Sequence, residues 1–150
     1  MGHYDRLMRY ALKLIAKKRY TGHELEKKLT KKDNEASEQR KKVMSRLKEL
    51  GYIDDAAFAR DYISTRLRLN PRGRRLLAVE LLRKGVAKQT IDYALDNADI
   101  DEVSLAKRIL EKRKHRFTSL TYYKKRAKMM RFLSSRGFSS DAIYKVLERC

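Results

Sequence analysis

Two carboxylates stand side by side at Asp54 and Asp55, inside the stretch "LGYIDDAAFAR" (50–60). Paired acids can hold a divalent cation or divide acid and base roles between them. They can equally start a helix. As an N-cap, Asp54 accepts a bond from a free backbone N–H, and Asp55 sets negative charge against the positive end of the helix dipole. With Asp54 as cap, Ile53 and Phe58 fall at N′ and N4, the spacing of a hydrophobic staple. Capping accounts for the pair completely. The other reactive residue types are scattered. His3, His23 and His115 lie far apart, with no Cys/His cluster at ligand spacing. The single cysteine, Cys150, has no histidine pattern that would make it a nucleophile. No G-x-x-x-x-G-K-[ST] phosphate loop occurs. The residues therefore predict no active site, no metal and no cofactor, and a protein that is not an enzyme.

What the chain does carry is positive charge. It has 38 Lys+Arg against 19 Asp+Glu, a net charge of +19. The excess is +8 over residues 1–53, +3 over 54–98 and +8 over 99–150, so it is spread along the chain and is no detachable tail. Such a surface attracts a polyanion: nucleic acid, an acidic protein face or anionic lipid. Three clusters are densest. One holds Arg66, Arg68, Arg72, Arg74 and Arg75. A second holds Lys107, Arg108, Lys112, Arg113, Lys114 and Arg116. A third holds Lys124, Lys125, Arg126, Lys128 and Arg131, with Tyr122 and Tyr123 beside it. Any one of these residues reads most simply as part of a solvated helix face. In the middle cluster, Asn70-Pro71 predicts a helix start that places Arg72, Arg74 and Arg75 in the first turn, where cations oppose the dipole. Free backbone N–H groups beside arginines suit a phosphate or carboxylate. Reversal of these three arginines to Glu is then expected to weaken partner binding more than folding. Tyr122 and Tyr123 could stack on bases, but helical periodicity favours partial burial for them.

The elements that must position these residues are helices. One proline and six glycines in 150 residues leave little turn material for a sheet, while Leu, Lys, Arg, Glu and Ala favour helix. Start signals recur. Thr21 caps with Glu24 completing a capping box, Asp101 caps between Ile100 and Leu105, and Ser139 caps between Phe138 and Ile143. Gly51 follows an apolar period as a left-handed helix stop. These signals predict helices over 4–18, 21–32, 36–50, 54–68, 71–84, 87–97, 101–115, 119–135 and 139–149.

The helices also repeat. "LLRKGVAKQTIDYAL" (81–95) aligns with "LSSRGFSSDAIYKVL" (133–147), pairing Lys84-Gly85-Val86, Ile91 and Ala94-Leu95 with Arg136-Gly137-Phe138, Ile143 and Val146-Leu147. The first third fits less well, with Lys32-Asp33 in place of the Lys-Gly turn and a four-residue insertion. A helix-only period near ~50 residues points to an array of stacked units, each too small to bury its apolar face alone. The expected fold class is all-α: an elongated, curved array of three tandem three-helix repeats, over 1–53, 54–98 and 99–150.

The stretches "ELGYIDDAAFARDYISTRL" (49–67), "GRRLLAVELLRKGV" (73–86) and "SRGFSSDAI" (135–143) resemble the RecX family, regulators of the bacterial recombinase RecA. The resemblance runs from about Ala11 to Leu147 and is most specific over Leu50–Phe58 followed by Gly73–Val86. It implies a curved all-helical protein of three three-helix units. It also implies a non-enzymatic modulator that lies along the groove of the RecA filament and restrains its growth, ATP hydrolysis and strand exchange. DNA, single- or double-stranded, would be a secondary contact. The alternative is a stand-alone nucleic-acid-binding protein with helix-turn-helix-like units. No apolar run approaches the ~18 residues of a membrane span, and no internal disulfide can form, so a cytoplasmic monomer without membrane contact is expected. The family supplies no contact motif at matched positions. The candidate partner or DNA contacts rest on charge clustering: Arg66, Arg68, Arg72, Arg74, Arg75, Lys107, Lys112, Arg113, Lys124, Lys125 and Arg126.

Overall fold

A computed structural model describes residues 2–148. Among these residues all regular structure is helical: α1 (His3–Lys17), α2 (Gly22–Lys32), α3 (Ser37–Glu49), α4 (Asp55–Arg68), α5 (Arg74–Arg83), α6 (Lys88–Asp96), α7 (Glu102–Arg113), a 3-10 turn (Lys114–Arg116), α8 (Tyr122–Ser135) and α9 (Ser140–Glu148). None of the described helices is long and apolar enough to cross a membrane. The chain divides into two compact units. One contains the residues up to Arg60 together with Leu81–Ile91, the other Asp61–Glu80 together with the residues from Asp92 onward.

In the first unit α1, α2 and α3 pack pairwise. Leu7 and Ala11, Leu25 and Leu29, and Val43 and Leu47 recur at four-residue spacing, so each helix turns one apolar stripe inward. All six are essentially inaccessible, and each large side chain so buried stabilises the unit by about 1.5–3 kcal/mol. The second unit has an equivalent core of Ala106, Ile109, Leu110, Met129, Leu133, Phe138, Ile143, Val146 and Leu147, with α7 and α8 both packed on α9.

The helix starts follow the local signals. Thr21 forms the full capping box with Glu24. Asp54 accepts from the Ala57 N–H at 3.1 Å, Asp101 from the Ser104 N–H at 3.1 Å, and Ser139 from the Ala142 N–H at 3.2 Å. Gly51 ends α3 with φ +79°, and the Tyr52 and Gly51 N–H groups donate to the Leu47 and Lys48 carbonyls, a Schellman stop.

Two starts depart from expectation by three residues, and one of them is α8, which begins at Tyr122 and not at Ser119. The other is α5, which begins at Arg74, not at Pro71. The Gly73 N–H donates to the Arg136 carbonyl at 2.8 Å and the Arg74 N–H to Glu102 Oε1 at 2.9 Å. Tertiary partners for these donors hold 71–73 out of the helix, although Pro71 itself suits N1.

The adjacent acids therefore divide their work. Asp54 caps its own helix, whereas the Asp55 carboxylate accepts the Gly22 N–H at the start of α2, at 3.0 Å. The pattern recurs in the second unit. Asp101 caps α7, and buried Glu102 accepts from Arg74 at the start of α5 and from Ser139 at the start of α9, at 2.9 and 3.1 Å. A glycine turn accompanies each joint. Beside α2, the Thr21 hydroxyl donates to the Lys84 carbonyl, and Gly85 (φ +85°) lies where a Cβ would overlap His23. Beside α5, Gly137 (φ +85°) lies where a Cβ would overlap the Leu76 backbone. The left-handed backbone and the close approach both require glycine.

Candidate functional site

The middle arginines are mostly committed to the chain itself. Arg72 is buried, pairs with Glu80 and donates from Nε to the Asn70 carbonyl. Arg74 and Arg75 are exposed, but Arg74 donates to the Ile100 carbonyl at 3.0 Å and Arg75 to the Ser134 carbonyl at 2.6 Å. The anion anticipated at the start of α5 is the protein's own Glu102. The expectation that all three are exposed is thus corrected at Arg72, while Arg74 and Arg75 are exposed as anticipated. Reversing Arg72 would bury a carboxylate beside Glu80, so the triple reversal would damage folding as well. Arg66 is half-buried, with its guanidinium 5.2 Å over the Tyr62 ring.

The remaining candidates separate by exposure. Lys107, Lys112 and Lys124 are exposed, while Lys125 is half-buried. Arg126 is half-buried and donates to the Leu147 carbonyl at 3.4 Å. Tyr122 and Tyr123 are 63% and 82% exposed, correcting the expected partial burial. Their rings meet edge to face, with centroids 5.4 Å apart. His3 bonds to Asp33, which holds that carboxyl below its ordinary value. Cys150 lies outside the described residues.

Within the second unit the structure gathers five cations round one cleft of about 490 Å³. Arg68 comes from the end of α4, and Arg108, Lys112 and Arg113 from α7, where four-residue spacing sets Arg108 and Lys112 on one face. Arg136, at the end of α8, completes the set. Asn70, Pro71, Leu69 and Ile109 supply the rest of the wall, and among the described residues no carboxylate lines it. Three of the guanidinium groups are held in place. Arg108 donates to the Leu67 carbonyl at 3.1 Å, where a cation also suits the helix C-terminus. Arg136 donates to Asn70 Oδ1 at 2.9 Å. The Arg113 and Arg136 groups lie 4.5 and 5.4 Å over the Phe132 ring. Burial, then the neighbouring charges of Arg113 and Arg72, push the Arg136 guanidinium below its ordinary value. Among the described residues, the charged groups that line the cleft are all positive.

Residues 54–95 match the model of the second three-helix domain of RecX, and residues 99–147 that of the third. The chain is 35% identical to a protein named regulatory protein RecX from Pelodictyon phaeoclathratiforme, over 93% of this chain and 86% of that one. The chain belongs to the RecX family. A regulatory protein RecX from Thermus thermophilus is likewise 35% identical, over 86% of this chain and 81% of its own. In fold, the chain is similar to the crystal structure of RecX from Lactobacillus salivarius, with a TM-score of 0.88, 23% identity, and coverage of 98% of this chain and 96% of that one. In this RecX chain, Arg68 falls in the segment matching the second domain, and Arg108, Lys112, Arg113 and Arg136 in the segment matching the third.

Charge clustering singled out Arg68, Arg108, Lys112 and Arg113, although Arg108 was not carried into the candidate set, and it missed Arg136. Arg136 had a signal of its own: it is the basic residue before the Gly137 turn, aligned with Lys84 before Gly85. Clustering along the sequence could not place it 68 positions from Arg68 and yet on the same cleft.

Proposed function

We propose that this RecX-family chain is a non-enzymatic regulator that binds the RecA recombinase filament on DNA and restrains its growth, ATP hydrolysis and strand exchange. The observation that carries the reading is the cleft of five cations, with no carboxylate among the described residues that line it, on a chain of net charge +19. It supports occupancy of an anionic assembly as the means of action. A bound protein blocks addition of protomers without performing any reaction. Relatives named as regulatory proteins support the same reading. Three tandem three-helix repeats, over 1–53, 54–98 and 99–150, would give one cytoplasmic monomer several weak contacts along a filament, whose linkage raises the total affinity. Long-range charge steers the encounter, and the fixed arginines set the register.

The test is ATP hydrolysis by RecA on single-stranded DNA, titrated with this protein. A concentration-dependent fall in the rate, or faster filament disassembly, is expected. An unchanged rate at excess protein overturns the reading.

A further inference from the structure

We propose that a groove between the end of α1 and the turn from α3 into α4 is a docking site for an extended acidic peptide segment of a partner protein, anchored by one aromatic or aliphatic side chain. The groove lies within the first unit and shares no lining residue with the cationic cleft, so the inference goes beyond the regulatory reading drawn from that cleft.

Three features select such a segment. First, the groove holds about 550 Å³, inside the roughly 300–1,000 Å³ of ligand sites, so it admits a short segment and not a folded surface. Its apolar lining is Ile15, Ala16, Ala57 and the ring of Tyr52. Tyr52 is 51% exposed, and Leu50, two positions before it, 48%. An exposed tyrosine beside a pocket is a frequent centre of binding energy at interfaces. Second, Lys17, Lys18 and Arg19 line the groove against one carboxylate, Asp54. The balance is positive and suits acidic side chains. Lys17 and Lys18 are exposed, and the Lys18 Nζ lies 4.6 Å over the Tyr20 ring. Third, the groove offers acceptors as well as cations. The Lys18 N–H donates to the Leu14 carbonyl and ends the α1 ladder, and no described residue donates to the Ile15, Ala16 or Lys17 carbonyls beyond it. Asp54 spends Oδ1 on the Ala57 N–H, and its second oxygen is a further acceptor.

Those acceptors decide between a peptide and the other candidates. An extended peptide brings backbone N–H groups that can satisfy the carbonyls at the end of α1, while its carboxylates meet the lysines. A phosphodiester backbone has no N–H to give, and Asp54 repels its phosphates. A polyanion without an apolar residue would satisfy the lysines and leave the Tyr52 wall unused. A second copy of this chain is a poor occupant, because two bodies of net charge +19 repel each other.

The decisive experiment is fluorescence anisotropy on the full chain, without RecA or DNA, using a labelled peptide of aspartates flanking one phenylalanine. Micromolar binding is expected, and none up to about 1 mM overturns the site. Tyr52→Ala removes the aromatic wall without changing the charge and should weaken the Kd about tenfold, while Tyr52→Phe should stay within about twofold of the parent. Lys17→Ala/Lys18→Ala should also cost about tenfold and flatten the salt dependence. Lys27→Ala/Lys28→Ala, two exposed cations of α2, removes equal charge and should stay within about twofold. Thermal melts confirm folding, and the exposed lysine pairs decide the matter if Tyr52→Ala melts early. Equal losses in the two lysine pairs would mean diffuse charge attraction and overturn the site. Unchanged binding by folded Tyr52→Ala, or equally tight binding of polyglutamate of the same length, overturns the apolar anchor. A labelled oligothymidine that loses as much affinity as the peptide in Tyr52→Ala makes the groove a nucleic-acid site and overturns the choice of a peptide.

Discussion

Replacing Glu102 should destabilise this protein far more than replacing the acid beside it. Glu102 is 9% exposed, and its carboxylate accepts two backbone N–H groups, from Arg74 at 2.9 Å and Ser139 at 3.1 Å. These donors belong to the starts of two different helices, which have no intrahelical acceptor for them. Glu102→Ala leaves both without a partner, at about 1–3 kcal/mol each and so about 2–6 kcal/mol together. For a chain of this length, about 2–4 °C is lost per kcal/mol, so the melting temperature should fall by on the order of 10 °C. Glu102→Gln keeps one acceptor oxygen but turns an NH₂ group toward the other donor, so its loss should be about half as large. Asp101→Ala removes only a solvent-exposed cap on α7 and should give the smallest drop of the three. Circular dichroism melts, repeated in urea, measure all three. A Glu102→Ala melting temperature within about 2 °C of the parent would refute the bridging role, since even one lost buried bond exceeds that.

The glycine turns and the acid limit offer two further tests. Gly137→Ala should cost well over the about 1–2 kcal/mol of a left-handed alanine, because its Cβ also meets the Leu76 backbone. Gly51→Ala, at φ +79° with nothing within 4 Å, should cost only that conformational term, and equal losses in urea melts would contradict the close packing at Gly137. The Ser104 N–H and hydroxyl hold Asp101 below its ordinary 3.8. This raises stability fully above that value, and the gain disappears as pH falls through the lower folded-state value. Asp101→Asn should therefore narrow the gap to the parent as melts move into the acid range, and a gap independent of pH would sink the assignment.

The amino-acid sequence by itself determined what is decided within a few residues. Thr21 with Glu24, Asp54, Asp101 and Ser139 cap helices through bonds to the residue three positions on, so residue type and spacing suffice. The Gly85 and Gly137 turns and the alternation of apolar positions were equally local, and with them came the all-helical class and the resemblance to RecX. Tertiary structure decided everything that depends on which helix ends meet. Asp55 reaches Gly22 and Glu102 reaches Arg74 across 33 and 28 positions, where no local spacing links donor to acceptor. That same meeting delays α5 to Arg74, buries Arg72 against Glu80, and puts the chain's own carboxylate where an external anion had been anticipated. The cleft follows from the same cause. Repulsion among Arg68, Arg108, Lys112, Arg113 and Arg136 opposes their convergence; the packing of α7 and α8 on α9, the bond from Arg108 to the Leu67 carbonyl of α4, and Phe132 and Asn70 holding guanidinium groups offset it.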